Sequence, residues 1–338
     1  MLDSLYIRNF RCFEDLQVES LGRVNLVVGK NNTGKSTLLE SVLLLASAGA
    51  NQVIHEILNK RGDLLLDKQT PNLFFNGDIP ISHSNRLEIS DSESKNSLII
   101  TLINQNNNEN RLPMALPKTG IIPKFTLNPK LSILAFRDGQ YDINPIPNQS
   151  CTTQLLNEND LAKIWDQVFL NIDDSILKEA LGLIEPSIMN IAFIPSPQNN
   201  ASRMAVVKLQ NISKAVPIRS LGDGMIRLLQ IFLHATQAVN GFLLLDEFEN
   251  GLHYSIQQKV WDKLFKVAEE LNIQVFATTH SMDTIRSFCR VAKADKDIEG
   301  KLITLARSVG TSDQGKIFAS VYNENDLEWI INSGMEIR

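Results

Sequence analysis

Gly29-Lys-Asn-Asn-Thr-Gly34-Lys35-Ser36-Thr37 matches the pattern G-x-x-x-x-G-K-[ST], and its neighbours give that match its meaning. Val24-Asn-Leu-Val-Val28 before it is an apolar run of strand length, and Thr37 to Ala48 after it is rich in Leu and Ala and reads as a helix. Strand, glycine loop and helix together form a cradle for phosphates. Gly29 and Gly34 let the backbone curl so that the amides of Asn31, Asn32 and Thr33 and the helix start face an anion. Lys35 is placed to neutralise β- and γ-phosphate oxygens, Ser36 Oγ to ligate Mg²⁺, and Thr37 to complete the loop.

Two further strand ends supply groups that such a cradle uses. Phe242-Leu-Leu-Leu-Asp246-Glu247 is a buried-type strand closing on two acids. Adjacent residues at a strand end point apart, so Asp246 can serve the metal while Glu247 serves an attacking water. Val275-Phe-Ala-Thr-Thr279-His280-Ser281 ends a second apolar strand in a histidine suited to donate to a γ-phosphate or align the water. Ser220-Leu-Gly222-Asp223-Gly224 precedes an apolar helix, which local geometry reads as a helix start capped by Asp223.

The chain has 338 residues with 33 Lys+Arg against 38 Asp+Glu, a formal charge of −5. That deficit of cations excludes a general polyanion binder, so nucleic-acid contact has to be local. Apolar residues at 43% exclude disordered and fibrous classes. Cys12, Cys151 and Cys289 form no C-x-x-C pair, which speaks against zinc or disulfide frameworks. The start carries Asp3 and no apolar leader segment, and no apolar run approaches the ~20 residues of a membrane span. A cytoplasmic protein without membrane contact is expected.

Composition divides the chain into three stretches. Residues 1–63 hold the phosphate loop. Residues 64–200 are proline-punctuated, with strands expected at Leu98–Ile103 and Leu131–Phe136, helical spacing over Asn159–Gly182, and extended chain from Ser187 to Val207. Residues 201–338 resume strand and helix alternation, with helices expected at Leu228–Ala238 and Ser255–Leu271. Leu302–Ala306 and Ile317–Val321 form a candidate hairpin. The expected fold class is α/β, a P-loop NTPase head with an inserted, mainly β subdomain plus a helix.

The combination of phosphate loop, glycine-rich turn, apolar-Asp-Glu and Thr-His resembles an ABC-type ATPase head of the RecF/SMC-like and OLD-like AAA ATPase group. Ile7-Arg-Asn-Phe-Arg11-Cys-Phe13 is similar to the opening strand of those heads, and Asp246-Glu-Phe-Glu-Asn-Gly-Leu-His253 to stand-alone OLD-like members without a Toprim nuclease domain. The resemblance implies ATP and Mg²⁺ as ligands and an Arg11 that approaches the nucleotide. It also implies a homodimer packed head to tail through its ATP sites. Gly222 and Gly224 would then act in trans, and Glu249 to His253 would sense the opposite site. The signature differs from the family pattern in having Gly222 where a serine is usual.

Other readings are weaker. Asn59-Lys-Arg-Gly62 lacks the aspartate of a guanine clamp, which favours ATP, and the middle stretch lacks the heptads of an SMC coiled coil. Asp295-Lys-Asp297 reads as a solvated turn, so no nuclease is expected within this chain. The resemblance implies an ATPase switch that dimerises on ATP in a DNA-associated or anti-phage defence system. The alternative is a regulatory module gating a separately encoded effector, a nuclease or toxin, with slow hydrolysis as timer. Arg111, Lys118, Lys124, Lys130 and Arg137, and Arg203, Lys208, Lys214 and Arg219, lie in stretches without acids and mark candidate DNA or protein surfaces.

Overall fold

The computed structural model describes residues 1–63, 73–75, 87–91, 97–104, 124–128, 131–138, 145–168, 175–197, 199–294, 297–310, 315–322 and 326–327. The first half contains β1 (Leu5–Phe10), β2 (Phe13–Val18), β3 (Val24–Gly29), α1 (Lys35–Ala46) and α2 (Asn51–Lys60). Then come β4 (Leu87–Ser90), β5 (Ser97–Asn104), β6 (Lys124–Asn128), β7 (Leu131–Asp138) and β8 (Asn148–Cys151). Helices α3 (Glu158–Val168) and α4 (Ser175–Gly182) lead to β9 (Ile188–Ser196), β10 (Asn199–Leu209) and β11 (Val216–Pro217). The last part holds α5 (Asp223–Gln237), β12 (Phe242–Leu245), α6 (Tyr254–Glu270), β13 (Gln274–Thr278), α7 (Met282–Ala294), β14 (Gly300–Arg307) and β15 (Ile317–Tyr322).

The sheet that positions the site has the order β15-β14-β3-β13-β12-β8. Neighbours from β14 to β8 run parallel, and only the β14–β15 hairpin is antiparallel. Strands covered on both faces need apolar residues at every position. Thus Phe242 and Leu244 enter one core while Leu243 and Leu245 enter the other. Helices α3 to α7 cover the second face; α1, α2, β1 and β2 cover the first. The continuous apolar runs around Val24–Val28 and Phe242–Leu245 are therefore interior parallel strands, whose C-terminal ends gather at one rim.

A second sheet, β2-β1-β4-β5-β7-β6, is antiparallel throughout. The stretch 64–200 enters both six-stranded sheets: β4 pairs with β1 through Ile7 and Ile89, and β8 pairs with β12 through Cys151 and Leu245. This middle stretch thus shares its hydrogen bonding with both flanking stretches. Such pairing is non-local and leaves no trace in the composition of either segment. Residues 105–110, expected to form a hairpin tip, lie outside the described residues.

Boundaries otherwise follow the expected pattern, with differences of physical interest. The helix over 159–182 is two helices, α3 and α4. Helix α2 was not expected because Asn, Gln, His and Glu dominate it; it is anchored by only Ile54, Ile57 and Leu58. Among the described residues no helix is long and apolar enough to cross a membrane.

Candidate active site

The phosphate-type loop joins β3 to α1, and its glycines are there because no side chain fits. A Cβ on Gly29 would lie 2.4 Å from Leu305 O and 2.7 Å from Thr33 Oγ1. On Gly34, at φ +93°, it would lie 2.5 Å from the Phe13 ring and 2.8 Å from Cys12 Sγ. Asn32, at φ +61°, also takes the left-handed region. Gly34 is the N-cap of α1 and offers no side-chain acceptor, and the first turn carries no acid. The helix's leading amides are thus left for an external anion.

Lys35 folds over this loop, its Nζ donating to Gly29 O at 2.8 Å and Lys30 O at 3.0 Å. Burial pulls its ammonium below the ordinary lysine range, while Asp246, Glu247 and Glu249 oppose that shift. Three carboxylates therefore act on Lys35. Thr33 Oγ1 donates to Lys30 O at 2.9 Å and stiffens the turn, and Arg307 at the end of β14 donates to Asn32 O at 3.2 Å.

Ser36 Oγ donates to Asp246 Oδ1 at 3.1 Å, across 210 residues of chain. Hydroxyl and carboxylate oxygens meeting in this way form the hard-oxygen donor set that suits Mg²⁺. Asp246 Oδ1 also accepts from Thr278 Oγ1 at 2.8 Å, and that same hydroxyl accepts Glu247 N–H at 2.9 Å. Glu247 itself sits at φ +47°, a costly backbone for a residue with a long side chain. The chain after it is fixed by Phe248, fully buried and stacked on Trp261 at 3.7 Å between ring centroids.

His280 lies exposed at the same rim, and its backbone N–H donates to Glu249 Oε1 at 2.8 Å. A cavity of about 720 Å³ brings His280 together with Arg11, Asn31, Asn32, Lys35 and Ser36. Gly34 and Thr37 also line it. That volume suits a nucleotide-sized ligand.

Arg11 reaches the cavity wall, yet its guanidinium is already engaged by carboxylates. Nε lies 2.9 Å from Glu40 Oε2 and Nη1 lies 3.2 Å from Asp63 Oδ2. Arg61 takes the other Glu40 oxygen at 2.9 Å and also lines the cavity.

Gly222 and Gly224 do not line this cavity. They open α5, with Gly222 exposed at φ +100° and Gly224 packed so that a Cβ would meet Gly251 O at 2.8 Å. The N-cap is Gly222 rather than Asp223, which is the first helical residue and makes no side-chain cap bond. The positive φ at the cap position decides this, since only glycine adopts it freely.

The basic stretch ahead of α5 also differs from expectation. Arg203 pairs with Asp166 and Arg219 with Glu158, both on α3, and Lys208 donates to Ile212 O and Ser213 O. Acids distant in sequence thus compensate much of the local surplus. The side chains of the stretch 111–137 lie outside the described residues.

Comparison with known families matches residues 1–214 to "AAA ATPase domain". The chain belongs to the AAA ATPase domain family. Residues 198–286 also match "AAA domain, putative AbiEii toxin, Type IV TA system". This AAA-family chain is therefore an ATPase. It is 26% identical to the Helicobacter pylori protein named "ATP/GTP phosphatase" over 96% of both chains. A segment covering 20% of the chain is 38% identical to the Listeria welshimeri DNA replication and repair protein RecF, covering 17% of that protein.

Two solved heads share the fold. One is an Smc head bound to the C-winged helix domain of ScpA, with TM-score 0.53 and 13% identity, covering 96% of this chain and 98% of that one. The other is an Smc head with an extended coiled coil bound to the C-terminal domain of ScpA derived from Pyrococcus furiosus. It has TM-score 0.52 and 10% identity, with 99% of both chains covered. The α/β P-loop fold read from the sequence is thus the observed one.

Sequence reasoning passed over Thr278, Arg61 and Arg227. Thr278 is quoted within its strand but gives no signal of its own. Arg227 carried one: it is a guanidinium set among Met225, Ile226, Leu228 and Leu229, and it is fully buried.

Proposed function

We propose that this ATPase hydrolyses Mg·ATP at the rim formed by β3, β12 and β13, and that ATP binding drives head-to-tail pairing of two copies. The observation that carries the reading is the Ser36–Asp246 hydrogen bond of 3.1 Å, which joins the loop to the acid strand in one place. The amides of residues 31–36 and Lys35 hold the triphosphate. Ser36 and Asp246 would hold Mg²⁺, which when bound neutralises β- and γ-oxygen charge.

Glu247 orients the water and accepts its proton in an in-line attack, and His280 donates toward the γ-phosphate. Phosphoryl transfer depends chiefly on placement, so the fixed backbone around Glu247 matters as much as its carboxylate. Gly222, exposed at the start of the 15-residue α5 away from the cavity, and Gly224, half-buried beside it, suit contact with ATP held by a second copy.

The switch is assigned to a DNA-associated or defence setting, in line with the segment shared with RecF. The gating alternative gains support from the internal pairing of Arg203 and Arg219, which leaves less free cation there for DNA, and from the toxin–antitoxin wording of the second family match. Phosphate release with and without duplex DNA separates them. DNA stimulation supports the first reading; turnover indifferent to DNA but altered by a neighbouring gene product supports the second. ATP and GTP compared as substrates test nucleotide choice. Light scattering of Glu247→Gln tests pairing. Doubling of mass on adding Mg·ATP is expected, and a monomer at high concentration contradicts it.

A further inference from the structure

Glu247 is held in its left-handed backbone from two sides. Its N–H is bonded to Thr278 Oγ1 at 2.9 Å, and its carbonyl accepts from Arg227 Nη2 at 3.1 Å. The same Arg227 nitrogen donates to Asp246 O at 3.0 Å, while Nη1 donates to Thr152 O at 2.5 Å and lies 3.3 Å from Cys151 Sγ. Arg227 is 0% exposed, and its Nε has no hydrogen-bond partner among the described residues.

A buried guanidinium serving only backbone carbonyls and a thiol is expensive to keep. An apolar residue would fill this helix face at less cost. What the guanidinium adds is a planar fork that fixes several carbonyls at once, which a lysine ammonium does not reproduce.

Arg227 also belongs to α5, whose first turn carries Gly222 and Gly224. Further along that helix Gln230 donates to Gln154 O at 3.2 Å and accepts from Leu156 N at 3.1 Å, and His234 meets Gln149 at 3.0 Å. The helix is thereby fixed along β8 and the loop after it. Gly251, in the turn after the acids, packs on the other side, where a Cβ would lie 3.6 Å from Arg227 Cβ.

We infer that Arg227 is a positioning residue for ATP hydrolysis: it transmits the state of the α5 glycine turn to the backbone that aims Asp246 and Glu247. Contact of that turn with a second copy's nucleotide shifts α5, and the fork carries the shift to the two acid carbonyls. The reaction centre thereby responds to pairing without the signature residues touching their own site. This rests on the ATPase reading above.

The test compares wild type, Arg227→Lys and Arg227→Met in the full chain. Fluorescent ATP binding is expected to stay within about threefold for Arg227→Lys while kcat falls about 100-fold, the scale of a misplaced catalytic group. Pairing with Mg·ATP is retained. Arg227→Met is expected to lose turnover at least as far. A wild-type kcat in Arg227→Lys, or equal loss of affinity and turnover, overturns the inference.

Hydrogen exchange on wild type decides it if neither variant folds. Amides of 223–230 and 246–252 are expected to gain protection together when a non-hydrolysable ATP analogue is added. Independent responses overturn the clamp. Absence of phosphate release from wild type would instead count against the ATPase reading, which the exchange experiment does not require.

Discussion

Thr278 donates its hydroxyl to Asp246 at 2.8 Å while accepting the Glu247 amide at 2.9 Å. One side chain on β13 thus fixes both acids at the end of β12. Parallel pairing of the two strands, Leu245 opposite Ala277, is what brings that hydroxyl to the rim. Thr278→Val keeps the shape and removes the hydroxyl. It is expected to leave Glu247 N–H unpaired, costing about 1–3 kcal/mol of stability, and to lower kcat more than nucleotide affinity. Denaturant melts and phosphate release check both.

Gly29→Ala is expected to damage the loop itself. The new methyl would meet Leu305 O at 2.4 Å, and backbone cannot yield as a flexible side chain can. Nucleotide affinity should fall well before the fold is lost, as read by fluorescent ATP titration beside a thermal melt.

The acid–base cluster under the cavity makes a separate prediction. Glu40 is shared by Arg11 and Arg61, each 2.9 Å away. Glu40→Ala leaves two guanidinium groups facing each other, one of them with only 7% of its side chain exposed. Removing one partner of a largely buried ion cluster costs about 3 kcal/mol. Arg61 is more exposed than Arg11, so the effect, read in denaturant titrations, should centre on Arg11, which keeps only Asp63 of its two carboxylate partners.

Stability should also depend on pH through His234. Burial, aided by the Arg227 charge, lowers its pKa to about 4 from the ordinary 6.5. Between those values the unfolded chain binds the proton and the folded one does not, so stability is full above 6.5 and falls as pH drops toward about 4. His234→Gln is expected to flatten the slope of unfolding free energy against pH in that window, measured by urea titration at several pH values.

Much of this was legible in sequence because the decisive elements are local. The phosphate loop and its two flanks are contiguous, and β12 announces itself by four apolar residues before two acids. Where a polar residue acts through tertiary placement, the signal disappeared. Thr278 is one threonine of two at a strand end, and only the β12–β13 register gives it both partners. Arg227 was visible as a guanidinium between Ile226 and Leu228, but its partners Thr152 and Asp246 follow β8 and β12, and only the fold brings the two strand ends to one side chain.

The same physics explains why Arg203 and Arg219 were read as surplus charge: their acids, Asp166 and Glu158, lie on α3 in another part of the sequence. Pairing of β4 with β1 escaped notice for a related reason, because strand partners are selected by buried faces rather than by neighbouring composition.

The central claim is that Lys35, Ser36, Asp246 and Glu247 form one ATP-hydrolysing site. Glu247→Gln tests it most directly, with ATP binding and phosphate release measured on the same preparation. The account predicts affinity within a few fold of wild type and turnover reduced by about two orders of magnitude or more. Phosphate release at the wild-type rate by Glu247→Gln would contradict it.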